Sequence, residues 1–401
     1  MKNLSSKEHI DLTLRYAAHN YLPINVVITK ADGVWVEDVE GNRYLDMLSG
    51  YSALNFGHAN SRINKVAHEQ IDRLALTSRA FLNDQFTHFC KEMAELCEMD
   101  KVLMMNSGAE AVETAIKMAR KWGYEVKGVE ANKAEIICFK GNFHGRTTTI
   151  ISFSDSSISY EKFGPFTPGF KLIEYADISA LENAINNNTV AVLIEPIQGE
   201  GGVIIPPPGY LKRVRELCSA NSILMLADEV QTAFYRTGKL FCCQHENIKP
   251  DAYILGKSLG GGLMPVSAVV GTDHCMQAFT HGTHGSTFGG NPLACAIARE
   301  VINILKENDI KENVERIGSY FNQALHSLNS SIVTGIRSKG MMFGVDIDPA
   351  YGKAKKVCEE LVKQGILTKD TREQTIRFTP PLTITQAEID WALERIAKVL
   401  K

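Results

Sequence analysis

The segment Ile223-Leu224-Met225-Leu226-Ala227-Asp228 is followed downstream by Ala252-Tyr253-Ile254-Leu255-Gly256-Lys257. Each is a short, unbroken apolar run that stops at one ionisable residue. Such a run, with no polar alternation, predicts a strand buried on both faces, as in a parallel sheet. Reading outward, Val102–Met105, Glu135–Lys140, Val190–Glu195 and Val266–Gly271 show comparable runs. Helical patterns lie between them at Glu110–Trp122, Ile178–Asn186 and Gly209–Ala220. Strands alternating with helices predict an α/β domain with a mostly parallel central sheet, placed at residues 50–290.

The tail reads differently. Asn291-Pro292 opens a helical pattern through Lys306, with proline where a first turn tolerates it. A helix is predicted near Glu312–Leu328, a strand near Met341–Ile347, a helix near Lys353–Gln364 and a strand near Thr375–Thr379. Thr385 with Glu388 predicts a capping box, and Ile389, Ala392, Leu393, Ile396 and Leu400 keep a helical period behind it. This predicts a smaller α+β domain over 291–401. The N-terminal segment, 1–49, has strand-like Gly33–Val39 and Arg43–Leu45 around the turn Glu40-Gly41-Asn42, and is expected to pack with that smaller domain.

Composition narrows the function classes. Of 401 residues, 43 are Lys or Arg and 46 are Asp or Glu, for a formal net charge of -3. A nucleic-acid binder usually carries a basic excess or stripe, and none is found. No apolar run approaches the roughly 18 residues that suggest a membrane span. Lys7, Glu8, His9 and Asp11 stand where an export signal would need an apolar core. The nine cysteines are odd in number, and most sit in apolar runs, which predicts reduced, buried thiols in a cytoplasmic protein. The adjacent Cys242-Cys243 lacks the second pair of a zinc site, so no metal is expected.

Three features fall at predicted strand ends, where ligands collect in open α/β sheets. Asn106-Ser107-Gly108-Ala109-Glu110-Ala111 lies between a strand and a helix. Its small residues leave backbone N–H groups free at a helix N-terminus, which attracts phosphate. An ordinary strand–helix turn would read the same way. Asp228 ends a buried strand, where a carboxylate is costly unless it meets a cation or donor; helix capping is the alternative. Lys257 follows the next strand along, before a glycine run, from which an amine can reach inward and form an imine with an aldehyde; a surface lysine is the alternative. Together the three supply what pyridoxal phosphate needs: an anion cradle, a partner for a protonated ring nitrogen and an imine-forming amine.

With these, Gly141-Asn142-Phe143-His144-Gly145-Arg146, Glu195-Pro196-Ile197-Gln198-Gly199-Glu200, Asp228-Glu229-Val230-Gln231-Thr232, Leu255-Gly256-Lys257 and Gly285-Ser286-Thr287-Phe288-Gly289-Gly290-Asn291-Pro292 occur in one chain. The set resembles the class III pyridoxal-phosphate aminotransferases from about Ala17 to Val399. That resemblance implies the type I fold of such transferases. It implies Lys257 as imine-forming lysine and proton shuttle, Asp228 on the ring nitrogen, Gln231 on the ring hydroxyl and Phe143 stacked on the ring. Gly108 and Ala109, with the Ser107 hydroxyl, would hold the phosphate. Ser286 and Thr287 would reach the phosphate of a neighbouring subunit, making a homodimer the smallest active unit.

Within the family, Leu48-Ser49-Gly50-Tyr51-Ser52-Ala53, Leu76-Thr77-Ser78-Arg79-Ala80-Phe81 and Ile376-Arg377-Phe378-Thr379-Pro380-Pro381-Leu382 resemble the enzymes that act on the δ-amine of ornithine. Arg146 and Arg377 are then the carboxylate-binding cations, since a guanidinium fork grips a carboxylate with two bonds. Glu200 would pair with Arg377 while the ω-amine of a diamino acid reacts, then release it to 2-oxoglutarate. Tyr51 would meet the α-amino and carboxylate end of ornithine. Two positions depart from the pattern. Leu82 stands where the ornithine enzymes usually carry tyrosine, so a pocket wall would lose a hydroxyl. Ala233-Phe234-Tyr235 replaces a glycine-rich segment and is expected to narrow access or shift Arg236. The expected reaction takes an amino acid and a 2-oxo acid: L-ornithine and 2-oxoglutarate to glutamate-5-semialdehyde and glutamate. Acetylornithine, 4-aminobutyrate or lysine as donor, or racemisation on the same scaffold, are the alternatives.

Overall fold

The apolar runs build the central sheet. The computed structural model describes residues 4–401. Its seven-stranded sheet has the order Lys101–Met105, Ser267–Gly271, Ala252–Leu255, Leu224–Asp228, Thr189–Ile194, Glu135–Phe139, Phe170–Ile173. Every pairing is parallel except those of Ser267–Gly271, which runs antiparallel to both neighbours. Both faces are covered. Ile136, Cys138, Ala191, Leu193, Leu226 and Ile254 belong to one buried cluster, and Ile137, Phe139, Val192, Ile194, Ala227 and Leu255 to another. This two-sided burial is why the runs lack polar alternation.

The helix Gly108–Glu125 lies on the first face, burying Val112, Ala115, Ile116, Ala119 and Trp122. Ser107 and Glu110 close a capping box at its start, satisfying N–H groups that an uncapped terminus would leave orphaned. Its close approach to the sheet needs Gly123, where a Cβ would stand 2.2 Å from Val190 Cγ1.

Two smaller sheets complete the molecule. Ile28–Asp32, Trp35–Asp38 and Arg43–Asp46 form antiparallel pairs, and the last accepts Ile366–Leu367 in parallel through Ile366 opposite Leu45. N-terminal and C-terminal chain therefore share one sheet. The other is antiparallel, in the order Val333–Lys339, Met342–Ile347, Thr375–Phe378, Lys369–Thr371. The strand expected over Gly33–Val39 begins only at Trp35, because Gly33, at φ 58°, turns the hairpin. Pro292–Lys306 buries most of its length, through residues such as Ile297, Val301 and Ile302, and contacts the helices Ser61–Arg73 and Asp84–Cys97.

Candidate active site

Parallel strands bring their C-terminal ends to one edge. Asp228 ends Leu224–Asp228, the turn holding Lys257 follows the neighbouring Ala252–Leu255, and Glu195 follows Thr189–Ile194 on the other side. A cavity of about 170 Å³ opens at this edge, lined by Gly108, Ala109, Phe143, Asp228, Gln231 and Lys257 together with His144 and Glu195. Six sequence-derived candidates therefore converge.

Asp228 is held from two sides. The Val230 N–H donates to Oδ1 at 3.1 Å, and His144 Nδ1 stands 2.6 Å from Oδ2. A carboxylate only accepts, so that nitrogen carries the proton. Burial disfavours the imidazolium, but the Asp228 bond and charge outweigh it and raise the His144 pKa. Glu195 accepts the Phe143 N–H at 2.9 Å, and burial holds its carboxyl up at about 7. His144 and Glu195 lie in the segments Gly141–Arg146 and Glu195–Glu200, yet nothing in a linear sequence sets His144 against Asp228.

Lys257 opens a short 3-10 turn at φ 47°, a left-handed conformation that a lysine adopts only where its surroundings impose it. Burial pulls its amine down to about 8, with the Glu200 charge working against that shift. Across the cavity, the Ser107 hydroxyl accepts the Glu110 N–H at 3.2 Å, and the Glu110 carboxylate accepts the Ser107 and Asn106 N–H groups. Gly108 and Ala109 follow, in the first turn of the helix, where N–H groups have no intrahelical acceptor.

The cations divide by depth. Arg377 is fully buried, donates through Nη1 to Glu200 Oε1 at 2.7 Å, and leaves Nε and Nη2 without a partner. Burial alone would raise the Glu200 carboxyl, but the Arg377 charge and bond bring it below its usual range. Gln231 Nε2 donates to the same Glu200 oxygen at 3.3 Å. The Arg377 guanidinium lies 4.8 Å from the Tyr51 ring centre. Tyr51 is presented by Ser49–Ser52, four successive residues at positive φ. Asp46 braces that turn by accepting the Leu48 and Ser49 N–H groups. Arg146 is exposed, has no carboxylate partner among the described residues, and lines an adjoining cavity that also reaches Glu200.

Other candidates lie elsewhere. Ser286 accepts from Asn106 Nδ2 at 2.9 Å within its own chain, and Thr287 is exposed. Leu82 does not line this chain's cavity and is 88% exposed. Ala233, Phe234 and Tyr235 do not narrow the cavity: Phe234 is buried beside Phe241, and none of the three lines the site. Arg236 is buried away from the substrate space. Its Nη1 donates to the Met341 and Pro380 carbonyls and its Nη2 to Asn55 Oδ1, so it joins distant chain segments.

The Aminotransferase class-III family model matches residues 16–400. The chain belongs to the class III aminotransferases. It is 50% identical over 397 residues to the ornithine aminotransferase of Oceanobacillus iheyensis, covering 99% of each chain. The crystal structure of the Toxoplasma gondii ornithine aminotransferase superposes with a TM-score of 0.98 at 44% identity, covering 100% of this chain and 96% of that one. The acetylornithine aminotransferase structure from Elizabethkingia anophelis gives 0.90 at 42%, covering 100% and 99%.

Class III aminotransferases use pyridoxal phosphate, and this cavity suits it. It offers an inward amine of lowered pKa, a carboxylate braced by a histidine, and a helix terminus ready for an anion. As in any protein, a buried carboxyl of raised pKa weakens the fold as it ionises. Glu195 is protonated in the folded state up to about pH 7, whereas the unfolded group ionises near 4.5. Stability attributable to it is intact below about pH 4.5, falls as pH rises to about 7, then levels off. Glu195→Gln cannot ionise, so the melting temperature of the variant relative to the parent is expected to rise from about pH 5 to about pH 7 and then hold. Parallel melting curves across that range would count against the raised pKa.

Proposed function

We propose that this chain is an ornithine δ-aminotransferase, transferring the δ-amine of L-ornithine to 2-oxoglutarate. The observation that carries the reading is the Arg377–Glu200 pair: a buried guanidinium covered by one carboxylate, beside the amine of Lys257. An enzyme handling a diamino acid and a dicarboxylic oxo acid in one pocket needs a cation that is concealed for the first and open for the second. Pyridoxal phosphate, when bound, would supply the aldehyde and the electron-withdrawing ring. Lys257 Nζ would take a proton from the substrate carbon that bears the amine and deliver it to the carbon that was the aldehyde carbon of the group. Asp228, held by His144, would keep the ring nitrogen protonated, and Phe143 would pack on the ring. Gln231 would meet the ring hydroxyl, and Ser107, Gly108 and Ala109 would form the phosphate cradle, with the Ser107 hydroxyl shared with its helix cap. Tyr51 receives the α-amino and carboxylate end of ornithine, and Arg146 the second carboxylate of 2-oxoglutarate.

The test is to incubate purified protein and pyridoxal phosphate with ornithine and 2-oxoglutarate and assay the cyclised semialdehyde. N-acetylornithine, suggested by the Elizabethkingia relative, is the competing donor. Faster turnover with it than with ornithine would overturn the assignment.

The domain division 1–49, 50–290 and 291–401 belongs to the same reading, supported at its first boundary by the sheet that Arg43–Asp46 shares with Ile366–Leu367. A homodimer does too. Phe81, Leu82 and Phe288 are exposed at 71%, 88% and 52%. Their segments are neighbours, because Asn83 Nδ2 donates to the Gly290 carbonyl. Such an apolar patch favours a protein partner, and a second copy there would bring Leu82, Ser286 and Thr287 to the other subunit's cavity. Leu82→Asp combined with Phe288→Asp is expected to give an inactive monomer on a sizing column; an active monomer would refute the shared site. All nine cysteines are unpaired, which supports a cytoplasmic location, and no described helix is long and apolar enough to cross a membrane.

A further inference from the structure

The hairpin that carries Arg377 carries a second guanidinium at its turn. Arg372 lies between the strands Lys369–Thr371 and Thr375–Phe378, and both it and Glu373 adopt positive φ, at 48° and 61°. The Thr371 hydroxyl donates to the Glu200 carbonyl at 2.6 Å. The turn is thereby tied to the loop bearing the carboxylate that conceals Arg377. Arg372 lines the adjoining cavity, of about 360 Å³, together with Arg146, Phe143 and Glu200. Phe143, His144 and Gly145 line both this cavity and the one with Lys257, so the two adjoin.

Arg372 is only loosely engaged there. Among the described residues its one ion-pair partner is Asp155, with Nη2 3.5 Å from Oδ1, longer than a well-made charged hydrogen bond. The other Asp155 oxygen accepts the Gly141 N–H at 3.0 Å. A guanidinium has five N–H donors, so most of its capacity is free. Glu373 lines the same cavity, but its carboxylate is neutralised by Lys353, at 2.8 Å. Glu200 is committed to Arg377. The mouth therefore presents two under-used guanidinium groups, Arg146 and Arg372, to whatever enters.

Charge distinguishes the two substrates of the proposed reaction. The acceptor, 2-oxoglutarate, is a dianion; the donor, ornithine, is a net cation. If Arg377 takes one carboxylate of the acceptor, the other is left toward the mouth. We propose that Arg372 is a specificity-determining residue for the acceptor. It grips the outer carboxylate of a dicarboxylate together with Arg146, and Asp155 competes for it when the site is empty. This inference rests on the proposed aminotransferase reading and assigns a residue to its acceptor half.

The two members of the Arg372–Asp155 pair separate this role from a structural latch. Removing either side of a latch weakens the same closure, so both variants would move in one direction. For a competitor pair they move in opposite directions. Arg372→Gln in the holoenzyme is expected to raise the KM for 2-oxoglutarate and the Kd for glutarate, a dicarboxylate without a keto group, by about three- to fivefold. The change should fall on KM rather than kcat and shrink as salt is raised. Asp155→Asn, whose side-chain oxygen can still accept the Gly141 N–H, is expected to lower both constants by about twofold. Shifts of the same sign, or none, would overturn the proposal. Glutarate binding by calorimetry reads the site whether or not ornithine proves to be the donor, so failure of the parent reading and failure of this one remain distinguishable.

Discussion

Replacing Lys257 with alanine is expected to lower turnover by about four orders of magnitude or more while leaving the fold intact. The residue does two things that no neighbour can take over. Its amine is the one nucleophilic nitrogen lining the cavity that can form an imine, and burial keeps it near pKa 8, so a neutral fraction exists at working pH. It is also the base assigned to the substrate carbon in the proposed reaction. Glu195 is tied to the Phe143 N–H, Asp228 to His144, and Glu200 to Arg377. The backbone strain at φ 47° is the same for lysine and alanine, since both carry a Cβ, so stability should change little. The variant should still take up pyridoxal phosphate through the remaining groups of the site, but its absorbance should be that of the free aldehyde rather than of a protonated imine. Activity within tenfold of the parent, or an unchanged spectrum, would remove Lys257 from the reaction.

What the sequence made legible follows from burial. Strands covered on both faces must be apolar throughout, so a single charged residue at the end of such a run stands out, and Asp228 and Lys257 do so. Strands only partly covered give no such contrast. Phe170–Ile173 lies at the sheet edge with Lys171 inside it, and Val333–Lys339 carries Arg337 and Ser338 on partly exposed faces. Both go unread for that reason. The left-handed turn at Ser49–Ser52 is equally silent, because only Gly50 there is a residue that favours positive φ. The bracing of Asp228 by His144 joins two strand-end loops far apart in the chain. Leu82 and Ala233-Phe234-Tyr235 carry a different lesson: residue type at an aligned position does not say which way a side chain faces. Phe234 is buried against nearby Phe241, Arg236 is buried in contacts between distant segments, and Leu82 is exposed on its own chain.

The remaining large effect concerns which amine reacts. Glu200→Gln keeps the shape of the side chain and an oxygen for Arg377 Nη1, but removes the charge. Arg377 is then a buried cation with Nε and Nη2 already unpartnered and only the Gln231 oxygen, at 3.5 Å, as an additional acceptor. Stripping one member of a buried pair commonly costs about 3–5 kcal/mol, and the isosteric amide should hold the loss below that range. The functional consequence is larger. An uncovered guanidinium will take the α-carboxylate of any amino acid, so ornithine should bind through that end and present its α-amine instead of its δ-amine. The ratio of glutamate to ornithine as donor is expected to rise by about 100-fold. Arg377→Met should do the reverse. It abolishes the grip on 2-oxoglutarate, lowering that half-reaction by about a thousandfold, and leaves the ornithine half far less affected. Each half-reaction can be followed alone by mixing the enzyme with one substrate. If both variants scale the two halves equally, the Arg377–Glu200 pair is a structural ion pair, and the selection between a diamino acid and a dicarboxylate must lie with groups nearer the mouth.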